Sequence, residues 1–136
     1  WRQGPMNQAL LGLADDAAAA VLGRASTPTA GMRFPAYLPS MQDFRPNEDH
    51  LSNMRSALQY MLMQHSEANS SVYLMPAWPC ESWSWSAKLH APGLTVIEGE
   101  YSHSEGTLKL RVDPARRRKD VRVLNCVAES DVMQLW

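Results

Sequence analysis

Helix-spaced apolar residues in the first half of the chain, period-two alternation in the second, and a proline- and tryptophan-crowded stretch between them predict an α+β protein. The expected architecture is an N-terminal helical hairpin followed by a small antiparallel β-sandwich. From Pro5 to Leu22 the chain is rich in Ala and Leu, and Met6, Leu10, Leu13, Ala17 and Val21 recur at three- and four-residue steps, the stripe of an amphipathic helix. Gly23 is placed to close it as a C-cap. Residues 26–47 carry Pro28, Pro35, Pro39 and Pro46 with little periodicity, and a loop this long in a compact protein is usually functional, so it is expected to lie across a site. Asn47 can cap a second helix with Leu51, Met54, Leu58, Met61 and Leu62 on one face, running to about Gln64.

Residues 73–94 follow, with Leu-Met-Pro-Ala-Trp-Pro, Trp83, Trp85 and Lys-Leu-His-Ala-Pro-Gly, and they read as a domain junction. Strands are expected around Val72 and Leu74, Val96 and Ile97, Leu108 to Val112, and Val121 and Val123. Ser104-Glu105-Gly106 marks the clearest hairpin turn. Arg116, Arg117, Arg118 and Lys119 read as a solvated turn rather than a polyanion site, because one basic cluster in a net-acidic chain makes a weak field. Two units are therefore expected, residues 1–69 and residues 70–136.

Composition narrows the function classes. The chain has 136 residues, 45% hydrophobic and 20% charged, with net charge -1, so nothing draws it to nucleic acid or to an anionic membrane. Its longest apolar run, Ala17 to Leu22, is far short of the roughly 18 residues of a membrane span. Trp1 is preceded by no initiator Met, charged n-region or apolar h-region, and the chain is expected to be a piece of a longer polypeptide. Cys80 and Cys126 lack CxxC spacing and read as buried or idle thiols rather than a bridge. His50, His65, His90 and His103 show no HxxH or HExxH spacing, so no metal site is expected. A GxSxG elbow and a glycine-rich phosphate loop are both missing, and no cofactor is expected.

Several segments in fixed order carry a likeness: Arg33-Phe34-Pro35, then Pro46-Asn47-Glu48-Asp49-His50, then Leu58-Gln59-Tyr60-Met61-Leu62-Met63-Gln64, then Leu74-Met75-Pro76-Ala77-Trp78-Pro79. This order resembles the C-terminal end of six-hairpin, (α/α)6-barrel glycoside hydrolases, in particular the inverting α-L-fucosidases of glycoside hydrolase family ninety-five and related bacterial glycosidase-like proteins. In that family a helix opens with Asp-Gly-Asn-Phe-Gly, runs to Met-Leu-Leu-Gln, and is followed by Leu-Leu-Pro-Ala-Leu-Pro and a small β-sandwich. The family Asp stands twelve positions before the Met of that anchor, which falls here on Asp49. The Gly after it is His50, the Asn is Leu51, and the Phe-Gly pair is Ser52-Asn53.

The resemblance implies that residues 1–69 end an (α/α)6 catalytic barrel, that residues 70–136 form an accessory domain, and that the substrate is a carbohydrate. It also implies that Asp49 orients and activates the attacking water while a Glu from an earlier helix protonates the leaving sugar. Inverting hydrolysis needs two carboxyl groups roughly 6.5–9.5 Å apart. A carboxylate in the first turn of a helix is held ionised by free backbone N–H groups, which suits a base, and the same position suits a purely structural cap. His50, Arg33 and Tyr37 are the candidate sugar contacts, by hydrogen bonding and by stacking on a pyranose face, with a proton shuttle or a satisfied surface residue the alternatives for His50 and loop packing the alternative for Arg33 and Tyr37. Trp78, Trp83 and Trp85 read as packing mass between units. Alone the chain is expected to be inactive, because two helices enclose no barrel and the missing upstream part would supply the acid. The rival reading is a noncatalytic glycan-binding or structural β-sandwich module. Enzymes of this kind are often exported, and the resemblance implies nothing more about localisation.

Overall fold

The structure, a computed structural model, describes residues 3–26, 48–127 and 132–134, with the side chains of residues 48–51 and 132–134 left aside. Among these described residues, three helices come first: α1 (Gly4–Leu10), α2 (Ala14–Ser26) and α3 (Glu48–Leu62). Seven strands follow: β1 (Met63–His65), β2 (Val72–Leu74), β3 (Trp85–Ala91), β4 (Thr95–Ser102), β5 (Thr107–Asp113), β6 (Val121–Val123) and β7 (Val132–Gln134), with a 3-10 helix at Ala115–Asp120. The expected α+β order is observed. No helix among the described residues is long and apolar enough to cross a membrane.

The expected first helix is two helices. Gly12 adopts φ +76, the Gly12 N–H donates to the Ala9 carbonyl, and the Leu13 N–H donates to the Gln8 carbonyl. This pair of reverse bonds is the Schellman stop, which a residue free of a Cβ enters without steric cost. The apolar stripe therefore does not continue across Gly12, and Leu10, Leu11 and Leu13 are exposed. Gly23, expected to end the helix, lies inside α2, which runs on to Ser26 with the Ser26 hydroxyl donating to the Leu22 carbonyl. Where the helices meet, small side chains let the backbones approach: Ala9, Ala17, Ala18 and Ala57 are all buried.

The second helix ends at Leu62, two residues before Gln64, and passes without a loop into β1. Met63 is buried between the sheets, while the Gln64 amide donates to the Ala9 and Tyr60 carbonyls at 2.9 Å each, tying the ends of α1 and α3 together. Tertiary burial of Met63 thus wins over helix propensity.

One sheet has the order β1-β2-β6 and the other β3-β4-β5-β7. They share an apolar layer of Met63, Val72 and Leu74 on one side and Ala91, Ile97, Leu110 and Val112 on the other, a sandwich-like arrangement. The β3–β4 and β4–β5 hairpins are antiparallel, the latter turning at Gly106 as the Ser-Glu-Gly signal predicts. Two pairings depart from the antiparallel expectation: β2 with β6 and β5 with β7 are parallel. Each joins strands far apart in sequence, which local turn signals do not report.

Part of the stretch read as a junction is β3 itself, pairing with β4 from Trp85↔Tyr101 to Ala91↔Thr95. Its burial alternates, with Trp85, Ala87, Leu89 and Ala91 turned inward and Ser86, Lys88 and His90 exposed, but the small and polar residues on both faces and the flanking prolines and tryptophans hide that period in the sequence. A second apolar cluster joins Val21, Met61, Leu62, Met75, Trp78, Trp85, Tyr101 and Leu108, so residues from both expected units share one core.

Two further expectations are corrected. Cys80 and Cys126 are not idle thiols; they are disulfide-bonded, with Cα atoms 5.2 Å apart. The Leu124 N–H donates to the Leu74 carbonyl and the Asn125 amide to the Pro76 carbonyl, which brings the chain past Cys80 despite a separation of 46 residues. Nor is the basic cluster wholly solvated. The Arg117 side chain is only 15% exposed and donates to the Thr95 hydroxyl at 2.9 Å, the Asp120 carboxylate at 2.7 Å and the Ser70 carbonyl at 3.0 Å. A planar guanidinium can serve three directions at once, so this arginine clamps the β1–β2 turn, the β3–β4 turn and the 3-10 helix.

Candidate functional site

The helix α3 opens at Glu48, which puts the backbone of Asp49 and His50 in its first turn, where free N–H groups and the positive end of the dipole favour a carboxylate. The side chains of Asp49 and His50 lie outside the described residues, as do Arg33 and Tyr37 altogether. Of the four candidates, the structure therefore describes two as neighbours on one helix and brings none of them to a described cavity.

Two concave features formed by described residues bear on a site. The larger, about 550 Å³, runs between the C-terminal half of α3 and the edge strand β3, lined among others by Leu58, Leu62, Trp78, Trp85, Lys88 and His90. Leu58 is nine residues beyond Asp49, about 13 Å along a helix rising 1.5 Å per residue, so this groove is at the opposite end of α3 from the candidate base. Trp78 and Trp85 present little surface to it. Trp85 is 7% exposed and its indole N–H points at the Met75 sulfur at 3.1 Å, while the Trp78 N–H donates to the Trp83 carbonyl at 2.9 Å. Trp78 and Trp83 meet edge to face with centroids 5.5 Å apart. These indoles are spent on packing and on their own hydrogen bonds.

The smaller cleft, about 250 Å³, is lined by His65, Ser66, Glu67, Ser70, Pro92 and Arg117. Its one partly buried cation is already engaged by Thr95, Asp120 and Ser70, which leaves little of the guanidinium for an anion. Glu67 is the one carboxylate lining the cleft, so it holds no acid–base pair of the kind glycoside hydrolysis requires. On the outer face of the larger sheet, the Glu98 carboxyl is held below its ordinary range, first by the Lys88 ammonium 3.0 Å away and then by the Arg111 charge. That makes it a settled ion-pair member rather than a proton donor. Among the described residues no three His, Cys, Asp or Glu side chains converge as a metal site would require.

The sequence reading missed the Arg117 clamp, the Cys80–Cys126 bond and the groove along β3. Arg117 carried no signal distinguishing it from its three basic neighbours, whereas two cysteines in a chain with no metal spacing were a legible hint of a bond. Comparison of the chain with protein families, with curated proteins and with solved structures found no match.

Proposed function

We propose that this chain is the C-terminal part of a carbohydrate-active glycoside hydrolase, in which α1 to α3 contribute the closing hairpin of an (α/α)6 barrel and the β-sheets brace it. In this reading Asp49 holds and activates the water that attacks the anomeric carbon. His50, Arg33 and Tyr37 contact the sugar, and the general acid comes from an upstream helix. The observation that carries the reading is the position of Asp49: it occupies the first turn of the helix that hands the chain directly to the β-region at the Met-Leu-x-Gln anchor. The exposed apolar side chains of Leu10, Leu11, Leu13 and Leu22, in and between α1 and α2, support it, since further helices of a barrel would cover them.

The test is a longer polypeptide that includes the preceding coding sequence, assayed against a panel of chromogenic glycosides and oligosaccharides. Glycosidase activity that falls by at least about 10³-fold in Asp49→Asn, with an unchanged circular dichroism spectrum, is the expected result. Full activity in the folded Asp49→Asn protein refutes the assignment. The second reading, a noncatalytic glycan-binding module, draws on the groove between α3 and β3, where Lys88 and His90 offer exposed polar side chains; saturable oligosaccharide binding by calorimetry, in a longer protein that hydrolyses none of the sugars, would select it.

A further inference from the structure

The Cys80–Cys126 bond closes a covalent ring around β3, β4, β5, the 3-10 helix and β6, which is most of the β-region. It does so where the exit from β6 meets the tryptophan loop, beside the Asn125 amide that donates to the Pro76 carbonyl. The Tyr101 hydroxyl donates to the Cys80 carbonyl at 2.9 Å on the inner side of that loop, and Trp78 and Trp83 pack beside it. Both cysteines are partly buried, and no free cysteine is present among the described residues. Beyond Cys126 the chain leaves the β1-β2-β6 sheet to supply β7, a three-residue parallel edge strand on β5, the kind of short pairing that contributes little stability by itself.

We propose that the β-region is completed by oxidation in a disulfide-forming compartment, and that this bond is a redox latch whose reduction loosens the ring. Cys80 and Cys126 as thiols exchange with a disulfide donor of the thiol–disulfide oxidoreductase class. One cysteine thiolate attacks the donor disulfide and releases one donor thiol, and the second cysteine resolves the mixed disulfide and releases the other. The protein thus loses two electrons and two protons, and the donor becomes a dithiol. A reducing cytosol drives the exchange backwards, so the latched form belongs to an oxidising compartment. A closed ring of this length removes unfolded-state freedom, and its loss raises the unfolded fraction by about 10²- to 10³-fold.

The experiment expresses the full chain with export to an oxidising compartment and follows it by intact mass after alkylation under denaturing, non-reducing conditions, and by urea unfolding with and without a dithiol reductant. The expected result is a protein that takes up no alkylating label, is lighter than the reduced form by a pair of hydrogen atoms, and unfolds at markedly lower urea once reduced. Cys80→Ser/Cys126→Ser should match the reduced protein and be indifferent to the reductant. Because the reduced wild type carries the comparison by itself, a variant that fails to fold leaves the test intact. Alkylation of both cysteines in the exported, folded protein overturns the proposal, as does an unfolding midpoint that reduction does not move.

Discussion

Gly99 is where the core tolerates least. It lies in β4 facing the Trp85 ring across the β3–β4 pair, and a Cβ built there would stand 2.5 Å from Trp85 Cη2, 2.9 Å from Cζ3 and 3.1 Å from Leu110 Cδ1. Carbon atoms rest at about 3.5–4.0 Å, so Gly99→Ala requires the indole to retreat by about 1 Å. It has little room to do so, being buried and held at its N–H by Met75. Overpacking of this kind costs about 1–3 kcal/mol, and the upper end applies because the obstructing group is a rigid ring rather than a flexible chain end. Removing glycine from a strand interior returns about 0.5–1 kcal/mol, which leaves a net loss of about 2 kcal/mol. For a chain of this size that is about 8 °C in Tm. Gly23 supplies the control: it sits inside α2 with nothing within 4 Å of its built Cβ, so Gly23→Ala should raise Tm by about 2–4 °C. Thermal unfolding by circular dichroism of the three proteins measures both. A Gly99→Ala protein as stable as the parent, with Gly23→Ala raised as stated, would refute the claim that the Trp85 ring is immovable.

Arg117→Lys keeps the charge but cannot reach Thr95, Asp120 and the Ser70 carbonyl together. It should lose about 2 kcal/mol in urea unfolding, and an unchanged midpoint would show that the clamp is dispensable. Glu98 sets a pH signature: its folded carboxyl titrates below the ordinary 4.5, so its ion-pair contribution is complete above that value and is lost as pH falls through the depressed one. Followed by NMR, its titration midpoint should rise toward the ordinary value in Lys88→Met and in high salt; a midpoint indifferent to Lys88 would contradict the assigned cause.

The helices and most strands were legible because their signals are local. Leu58, Met61 and Leu62 sit at helical spacing, and Leu108, Leu110 and Val112 alternate, so burial on one face follows from the period alone. The turn at Gly106 was equally plain. The Gly12 stop is present in the sequence, but an apolar stripe continues across it, and only the reverse hydrogen bonds from Gly12 and Leu13 decide between a tolerated glycine and a cap. Of the candidate site, the placement of Asp49 in a helix's first turn follows from the sequence pattern, while its geometric partners belong to residues that periodicity does not address.

What the chain's own order of residues determined, then, was which segments coil, which extend and where they turn, because those choices rest on neighbours a few positions apart. Tertiary structure alone decided that Met63 leaves a helix to join a sheet, that β6 and β7 pair in parallel with β2 and β5, that one basic residue of a run of four becomes a clamp, and that Cys126 meets Cys80. Each of these depends on contacts between distant segments, whose free energy exists only once the intervening chain has folded and met the entropy of closing the loop.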